Sequence, residues 1–245
     1  MDRRRLAGML RRWPARAPAV HIASMVRPYV TLKLATSLDG RIATASGESR
    51  WITGELARAE VQKLRANHDA VMIGAGTAWA DDPELLARTD PPPAKQPLRV
   101  VLDSNLNLPP AGRLFETLAQ APLLVIGAED AEFERRAGLQ SAGARVAVVP
   151  RGAGGVDASE ALLQLAADGV QRVLVEGGGK LAASLIQGGL VDRLEWFRAP
   201  MVLGEEGRPA VAALALDRLA DAPRLTRVAL RELGPDVWES YERAS

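Results

Sequence analysis

The chain has 245 residues, a formal net charge of +1, no cysteine and two histidines. Without cysteine it can form no disulfide, thiolate metal site or cysteine nucleophile of its own, and His21 and His68 read as surface or packing residues rather than metal ligands. Its 47% apolar and 25% charged shares are those of an ordinary globular protein, and no apolar run nears the roughly 20 residues that span a bilayer.

Charge is unevenly placed. Residues 1–27 hold seven Arg and one Asp, which leaves 24 basic and 29 acidic residues in 28–245, about −5. A basic tail can point to an anionic partner. It reads here as a solvated, disordered extension, or as the product of an upstream start, with Met9 and Met25 as alternatives. Its one apolar run, Ala19 to Val26, is short and broken by His21 and Ser24, so it is not a secretory signal. A cytoplasmic protein is expected. With ten aromatic residues and an acidic folded part, the chain offers no platform for nucleic acid.

From Tyr29 onward, strand and helix patterns alternate. Tyr29–Ala35, rich in β-branched and apolar residues, predicts the first strand. A loop dense in Ser, Asp, Gly and Thr follows and contains Trp51, whose flat face could stack on a base or a nicotinamide. Thr53 suits the N-cap of a helix over Glu55–Ala66. Further strands are predicted at Ala70–Ile73, Leu98–Leu102, Leu123–Ile126, Arg145–Val149, Arg172–Val175 and Leu194–Phe197. Several are short continuous apolar runs, as in a sheet covered on both faces. Helices are predicted at Asp130–Gln140, Asp157–Ala167 and Lys180–Gln187. Ala111–Leu118 is ambiguous between helix and loop, and Thr89–Gln96 is a Pro-rich surface loop. Arg224–Leu230 and Asp236–Tyr241 form a hairpin around Gly234-Pro235. This rhythm predicts one α/β domain over 28–245, with a mostly parallel sheet flanked by helices and antiparallel strands at its C-terminal end.

Two glycine turns follow strands. In Glu176-Gly177-Gly178-Gly179-Lys180 a strand meets a helix N-terminus, where free backbone N–H groups favour an anion and Gly permits close approach. A pyrophosphate is the natural ligand, although many such turns use Gly for geometry alone. The spacing is not the dinucleotide fingerprint. Glu176 either turns toward a substrate or is an acid stabilised by the helix dipole. In Gly74-Ala75-Gly76-Thr77 the threonine either meets a cofactor or caps the next short helix. Asp81 and Asp82 precede Pro83, which favours an extended backbone there. Arg65 and Arg88 could offer bidentate bonds to a phosphate, or could simply be solvated.

Taken together, TLKLATSLDGRIATASGESRWIT, the Arg65 helix, GAGTAWADDPELLAR, VLVEGGGKLAASLIQGGL and VDRLEWFRAPMVLG resemble the reductase domain of the riboflavin-biosynthesis deaminase/reductase family. The order and spacing of these motifs over Pro28 to about Gly207 make the resemblance specific. It implies a dihydrofolate-reductase-like fold. It also implies reduction by NADPH of the ribosyl group of 5-amino-6-(5-phosphoribosylamino)uracil, or of its 2,5-diamino precursor, to ribityl. Substrate-binding positions then fall on Ser49, Arg65, Leu85, Arg88 and Glu176. Cofactor-binding positions fall on Ala35, Trp51, Thr77, Asp81, Ser104, Gly178, Gly179, Lys180 and Leu181. Ser104 is also a candidate for contact with the cofactor 2′-phosphate. Lys33 and Glu176 are the catalytic candidates, and water a third, for the proton that accompanies hydride transfer to a ring-opened Schiff base. The family's zinc deaminase needs cysteines, so a stand-alone reductase is expected, as a homodimer. A paralogous reductase of another ribosylated pyrimidine or pterin is one alternative. A non-catalytic nucleotide-binding sensor is another.

Overall fold

The computed structural model describes residues 27–244; residues 1–26, with the expected tail and His21, lie outside the described residues, as does Ser245. The chain runs β1 (Tyr29–Thr36), β2 (Arg41–Ala43), α1 (Glu55–Ala66), β3 (Ala70–Gly74) and α2 (Ala75–Asp81). It continues through β4 (Leu98–Leu102), α3 (Arg113–Glu116), β5 (Leu123–Ala128), α4 (Phe133–Ser141) and β6 (Arg145–Val149). A small hairpin, β7 (Arg151–Gly152) and β8 (Gly155–Val156), leads to α5 (Ala158–Ala167), β9 (Arg172–Val175), α6 (Gly179–Gln187) and β10 (Arg193–Arg198). Then come β11 (Arg208–Pro209), a 3-10 turn at Leu219–Asp221, β12 (Leu225–Leu233) and β13 (Asp236–Arg243).

Nine strands form one sheet in the order β12-β13-β10-β1-β9-β3-β4-β5-β6. All neighbours from β10 to β6 are parallel, whereas β13 runs antiparallel to β10 and β12 antiparallel to β13. The apolar runs form central strands because both faces are covered, so alternate residues bury in different places. Val30, Leu32, Leu34, Met72, Val173 and Val175 pack with Leu162 and Leu165 of α5 and Leu185 of α6. Val71, Ile73, Val101, Val125 and Leu174 face the other way, onto Leu114 of α3 and Leu139 of α4. Each such buried Leu, Ile or Val contributes about 1.5–3 kcal/mol.

Helix α1 is held differently from expectation. Thr53 is not its cap: Gly54 occupies that position with no side-chain cap bond of its own. The Gly54 N–H instead donates to Asp236 Oδ2 at 2.6 Å, so a carboxylate from the start of β13 serves the helix dipole. Asp157, by contrast, caps α5 through Oδ1, accepting from Ser159 and Glu160 N–H. Helix α4 starts at Phe133 rather than Asp130, and α3 resolves the ambiguous segment as a four-residue turn. His68 is a packing residue: its Nε2 lies 3.0 Å from Thr31 Oγ1 and its Nδ1 2.6 Å from the Leu64 carbonyl oxygen. Arg27, counted with the tail in sequence, donates to both Asp192 carboxylate oxygens at 2.6 and 2.7 Å.

Candidate active site

Because β1, β9, β3 and β4 are parallel neighbours, their C-terminal ends share one edge of the sheet, where open α/β sheets hold ligands. A cleft of about 530 Å³ opens there. It is lined by the end of β3 and the first turn of α2 (Gly74 to Thr77), by Asp81, by Ser104 after β4, by Gly178 to Leu181 at the start of α6, and by Ser49. Residues predicted from three distant motifs, together with Ser104, thus meet in one cavity.

The α6 turn has the backbone an anion site needs. Gly177 and Gly178 have φ of +114° and +89°, a region glycine enters without strain. Thr77 Oγ1 stands 3.3 Å from where a Gly178 side chain would begin, so both glycine turns face each other. Lys180 has no ion-pair or hydrogen-bond partner among the described residues, and Gly179, Lys180 and Leu181 place the first turn of α6 on the cleft. After β4, Ser104 Oγ accepts from Val156 N–H at 2.9 Å, which ties the β7–β8 hairpin to β4 and leaves the hydroxyl proton available. At the rim, Ser49 Oγ donates to Asp81 Oδ1 at 3.4 Å.

Beside this cleft lies a buried cluster on the face that α1 covers. Lys33 alternates away from Leu32 and Leu34, and Glu176 follows β9 on the Leu174 side. Arg65, from the last turn of α1, reaches across 111 residues of sequence. Its Nε and Nη2 donate to the two Glu176 oxygens at 2.5 and 2.9 Å. Its Nη1 donates to the Leu86 carbonyl at 3.0 Å. Lys33 Nζ lies 3.9 Å from Glu176 Oε2. Side-chain exposures of 15%, 12% and 6% for Lys33, Arg65 and Glu176 make these desolvated charges. Burial opposes the Glu176 anion, yet the Arg65 and Lys33 charges outweigh it and hold the carboxyl below its ordinary range. Burial pushes the Lys33 ammonium down; the Glu176 and Asp81 charges only partly offset this, and Arg65 adds to it. The influence of Asp81, a cleft residue, on Lys33 links the two halves of the site.

Several predicted residues sit elsewhere than their expected roles suggest. Leu85 is a core residue with φ of +56°, packed among Val71, Ile73 and Val101, so its backbone alone can face a ligand. Arg88 is an exposed side chain whose guanidinium donates to Glu84 at 2.6 Å. Ala35 packs on Ala57, Val61, Phe197 and Trp238 rather than lining the cleft. Trp51 is 66% exposed and stacks under the Arg58 guanidinium, 4.5 Å from its ring centroid.

Two arginines escaped sequence reading. Arg99 on β4 is fully buried, and its guanidinium donates to the carbonyls of Glu84, Thr117 and Ala121, which fixes the segment carrying Leu85 and Arg88. Burial pushes it down to about 10, the Glu84 charge offsetting only part. Arg208 lines the cleft from β11. An arginine inside an apolar strand run, and another on a two-residue strand, carry no pattern that announces these positions.

Residues 28–238 match the family model of the RibD C-terminal domain. The chain belongs to the RibD C-terminal domain family. It is 40% identical over 218 residues to a Methanothermobacter thermautotrophicus 2,5-diamino-6-ribosylamino-4(3H)-pyrimidinone 5′-phosphate reductase, covering 88% of this chain and 98% of that protein. It is 35% identical over 221 residues to the Escherichia coli riboflavin biosynthesis protein RibD, covering 86% of this chain. The chain spans 58% of the length of that RibD protein and of its Bacillus amyloliquefaciens relative. Among solved structures, Acinetobacter baumannii RibD superposes with a TM-score of 0.77 at 32% identity, over 89% of this chain and 59% of that one. The Saccharomyces Rib7 reductase shares the fold at a TM-score of 0.69 and 20% identity, covering 89% of this chain and 90% of that one. The fold is therefore the dihydrofolate-reductase-like one of RibD reductases, with a mostly parallel sheet and antiparallel C-terminal strands.

Proposed function

We propose that this chain is an NADPH-dependent oxidoreductase that reduces the ribosyl group of a phosphorylated ribosylaminopyrimidine to ribityl, as one domain over 28–245. One observation carries the reading: the glycine-built cleft and the desolvated Lys33–Glu176–Arg65 cluster share one end of the sheet. An extended phosphorylated cofactor suits the first, and a polar pyrimidine–ribose substrate suits the second. The family membership supports both.

The cleft residues fit a nicotinamide dinucleotide. The amides of Gly178, Gly179, Lys180 and Leu181 would hold its phosphates, with Thr77, Asp81 and Ser104 offering further polar atoms around them. NADPH supplies a hydride when bound, and that chemistry is the cofactor's own. The protein aligns and protects. Glu176 is fixed as an anion by two arginine bonds, so it can only accept hydrogen bonds, from a pyrimidine amide or a ribose hydroxyl. Lys33, whose proton is less tightly held than that of a free lysine, is the proton carrier. A hydride added to carbon leaves the neighbouring nitrogen or oxygen short of one proton, which Lys33 Nζ would give.

The substrate phosphate is assigned to Arg88, which commits only Nη1 to Glu84, and to the backbone that Arg65 anchors, since all three Arg65 guanidinium nitrogens are already engaged. A homodimer goes with the reading; the exposed Leu225, Val228 and Leu230 of edge strand β12 support a self-pairing surface. So does a cytoplasmic location, in keeping with the lack, among the described residues, of any helix long and apolar enough to cross a membrane.

The test is loss of reduced-nicotinamide absorbance with two substrates, 5-amino-6-(5-phosphoribosylamino)uracil and its 2,5-diamino form. Turnover of either, abolished in K33M, is expected. NADPH binding without turnover of either would sink the assignment.

A further inference from the structure

Residues 199–212, between β10 and the 3-10 turn, run past the cleft as a pinned strap and line it with Arg208, Pro209 and Ala212. Leu38 N–H donates to the Met201 carbonyl at 2.8 Å. The Asp39 carboxylate accepts from Leu203 and Gly204 N–H at 3.1 and 2.8 Å. With a further bond from Ser37, these hold Asp39 down at about 2. β11 pairs with β2, Ala210 N–H donates to the Gly40 carbonyl, and Ala212 N–H donates to the Gly179 carbonyl at 2.9 Å.

The strap is seated through absent side chains. A Cβ on Gly179 would lie 2.7 Å from the Pro209 carbonyl oxygen, and one on Gly207 would lie 2.9 Å from Arg41 Cγ. A Cβ on Gly47 would lie 2.8 Å from Arg208 Nη2. The Arg208 guanidinium therefore rests on bare backbone, on the cleft wall. It has no ion-pair or hydrogen-bond partner among the described residues. Of the cleft's lining residues only Asp81, Lys180 and Arg208 carry charge. A cation held in place on a cavity wall without a partner is a site for an anion, and a guanidinium suits a phosphate oxygen pair.

We propose that Arg208 is a diphosphate-binding residue of the cofactor cleft, closing on the dinucleotide from the strap while the first turn of α6 holds the other side. The choice of diphosphate over the cofactor's 2′-phosphate rests on place. Arg208 is tied through Pro209 and Ala212 to Gly179, in the first turn of α6, whereas Ser104 is tied to the β7–β8 hairpin, whose Gly154 faces Ser184 further along that helix. This rests on the reading of the cleft as a nicotinamide dinucleotide site.

The test is the Kd of NADPH and of NADH, by quenching of tryptophan fluorescence, in the wild-type protein, R208A and R208K. Loss of charged hydrogen bonds is expected to weaken both cofactors about 10- to 100-fold in R208A, with R208K between. The loss should shrink at high salt. Since Arg208 has no ion-pair or hydrogen-bond partner among the described residues, the thermal midpoint of R208A without cofactor is expected to match the wild type. Weakening of NADPH alone would assign Arg208 to the 2′-phosphate and overturn the proposal. Unchanged Kd values in R208A, with wild-type binding intact, would overturn it while leaving the cofactor reading in place. Failure of the wild-type protein to bind either cofactor would overturn both.

Discussion

The two halves of the site are built in opposite ways. The cleft is made of backbone: glycine turns, a helix start and a strap that fits because Gly47, Gly179 and Gly207 have no side chains. Its cations, Lys180 and Arg208, are solvated and unpaired among the described residues. The neighbouring cluster is made of side chains, with Lys33, Arg65 and Glu176 desolvated and already paired with each other. The difference is that between a site waiting for charge and one that already carries its own. A phosphate-rich ligand can enter the first at little cost in desolvation. The second can only offer bonds that remain after its internal pairing, so it selects by geometry rather than by net charge.

Breaking the cluster should therefore cost far more than altering the cleft. E176Q keeps the shape but leaves two buried cations facing a neutral amide. At neutral pH a loss of about 3–5 kcal/mol in unfolding free energy is expected, read from urea melts, together with loss of turnover. The acid limb gives a second readout. The folded pKa of Glu176 lies below its ordinary 4.5, so its contribution is present above that value and is lost as pH falls through the folded pKa. E176Q should lack this acid-dependent increment. Melts that superpose on wild type at every pH would show the ion pair to be energetically idle.

A smaller effect is expected where the cleft depends on an absent side chain. G179A gains helix propensity of about 1 kcal/mol, but its Cβ would meet the Pro209 carbonyl at 2.7 Å, and backbone yields less readily than a flexible side chain. Overpacking of this kind costs about 1–3 kcal/mol, so a net loss of roughly 1 kcal/mol and weaker cofactor binding are expected. G76A is the control within the same cleft, since a Cβ there meets nothing within 4 Å. Equal melts for the two variants would remove the argument that the strap requires Gly179.

How much of this was legible in sequence follows the same division. Strands Leu98–Leu102, Arg145–Val149 and Arg172–Val175 and helix Glu55–Ala66 were readable to the residue, because continuous apolar runs and a clear helical segment are local signals. The cleft was readable from its glycine turns, and the resemblance added Ser49, Asp81 and Ser104. Residue pairing was not readable. Arg65 and Glu176 were each singled out, but that they bind one another depends on α1 ending beside the turn after β9, 111 residues away. Thr53 has the chemistry of a cap, but Asp236 from the opposite end of the chain takes that role. Leu85 was named as a substrate contact, yet nothing local marks the left-handed backbone that sends its side chain into the core. Arg208 lies on a two-residue strand just past the last motif, and only its pairing with β2 and the strap's hydrogen bonds bring it to the cleft.

The smallest effect is expected at the seam between the halves. The resemblance assigns Ser49 to the substrate and Asp81 to the cofactor, yet Ser49 Oγ donates to Asp81 Oδ1 at 3.4 Å on the rim of one cleft. Asp81 also acts on the Lys33 charge across the seam. A long, half-exposed bond of this kind adds little to stability, so S49A should shift unfolding by no more than about 0.5 kcal/mol. Its effect should instead fall on substrate KM, and that of D81N on cofactor KM. If the two residues mark where the ligands meet, their effects on kcat/KM will not add. A double-mutant cycle should show a coupling of about 0.5 kcal/mol or more. Additive effects would separate the two residues functionally, and the seam would then run through Lys33 alone.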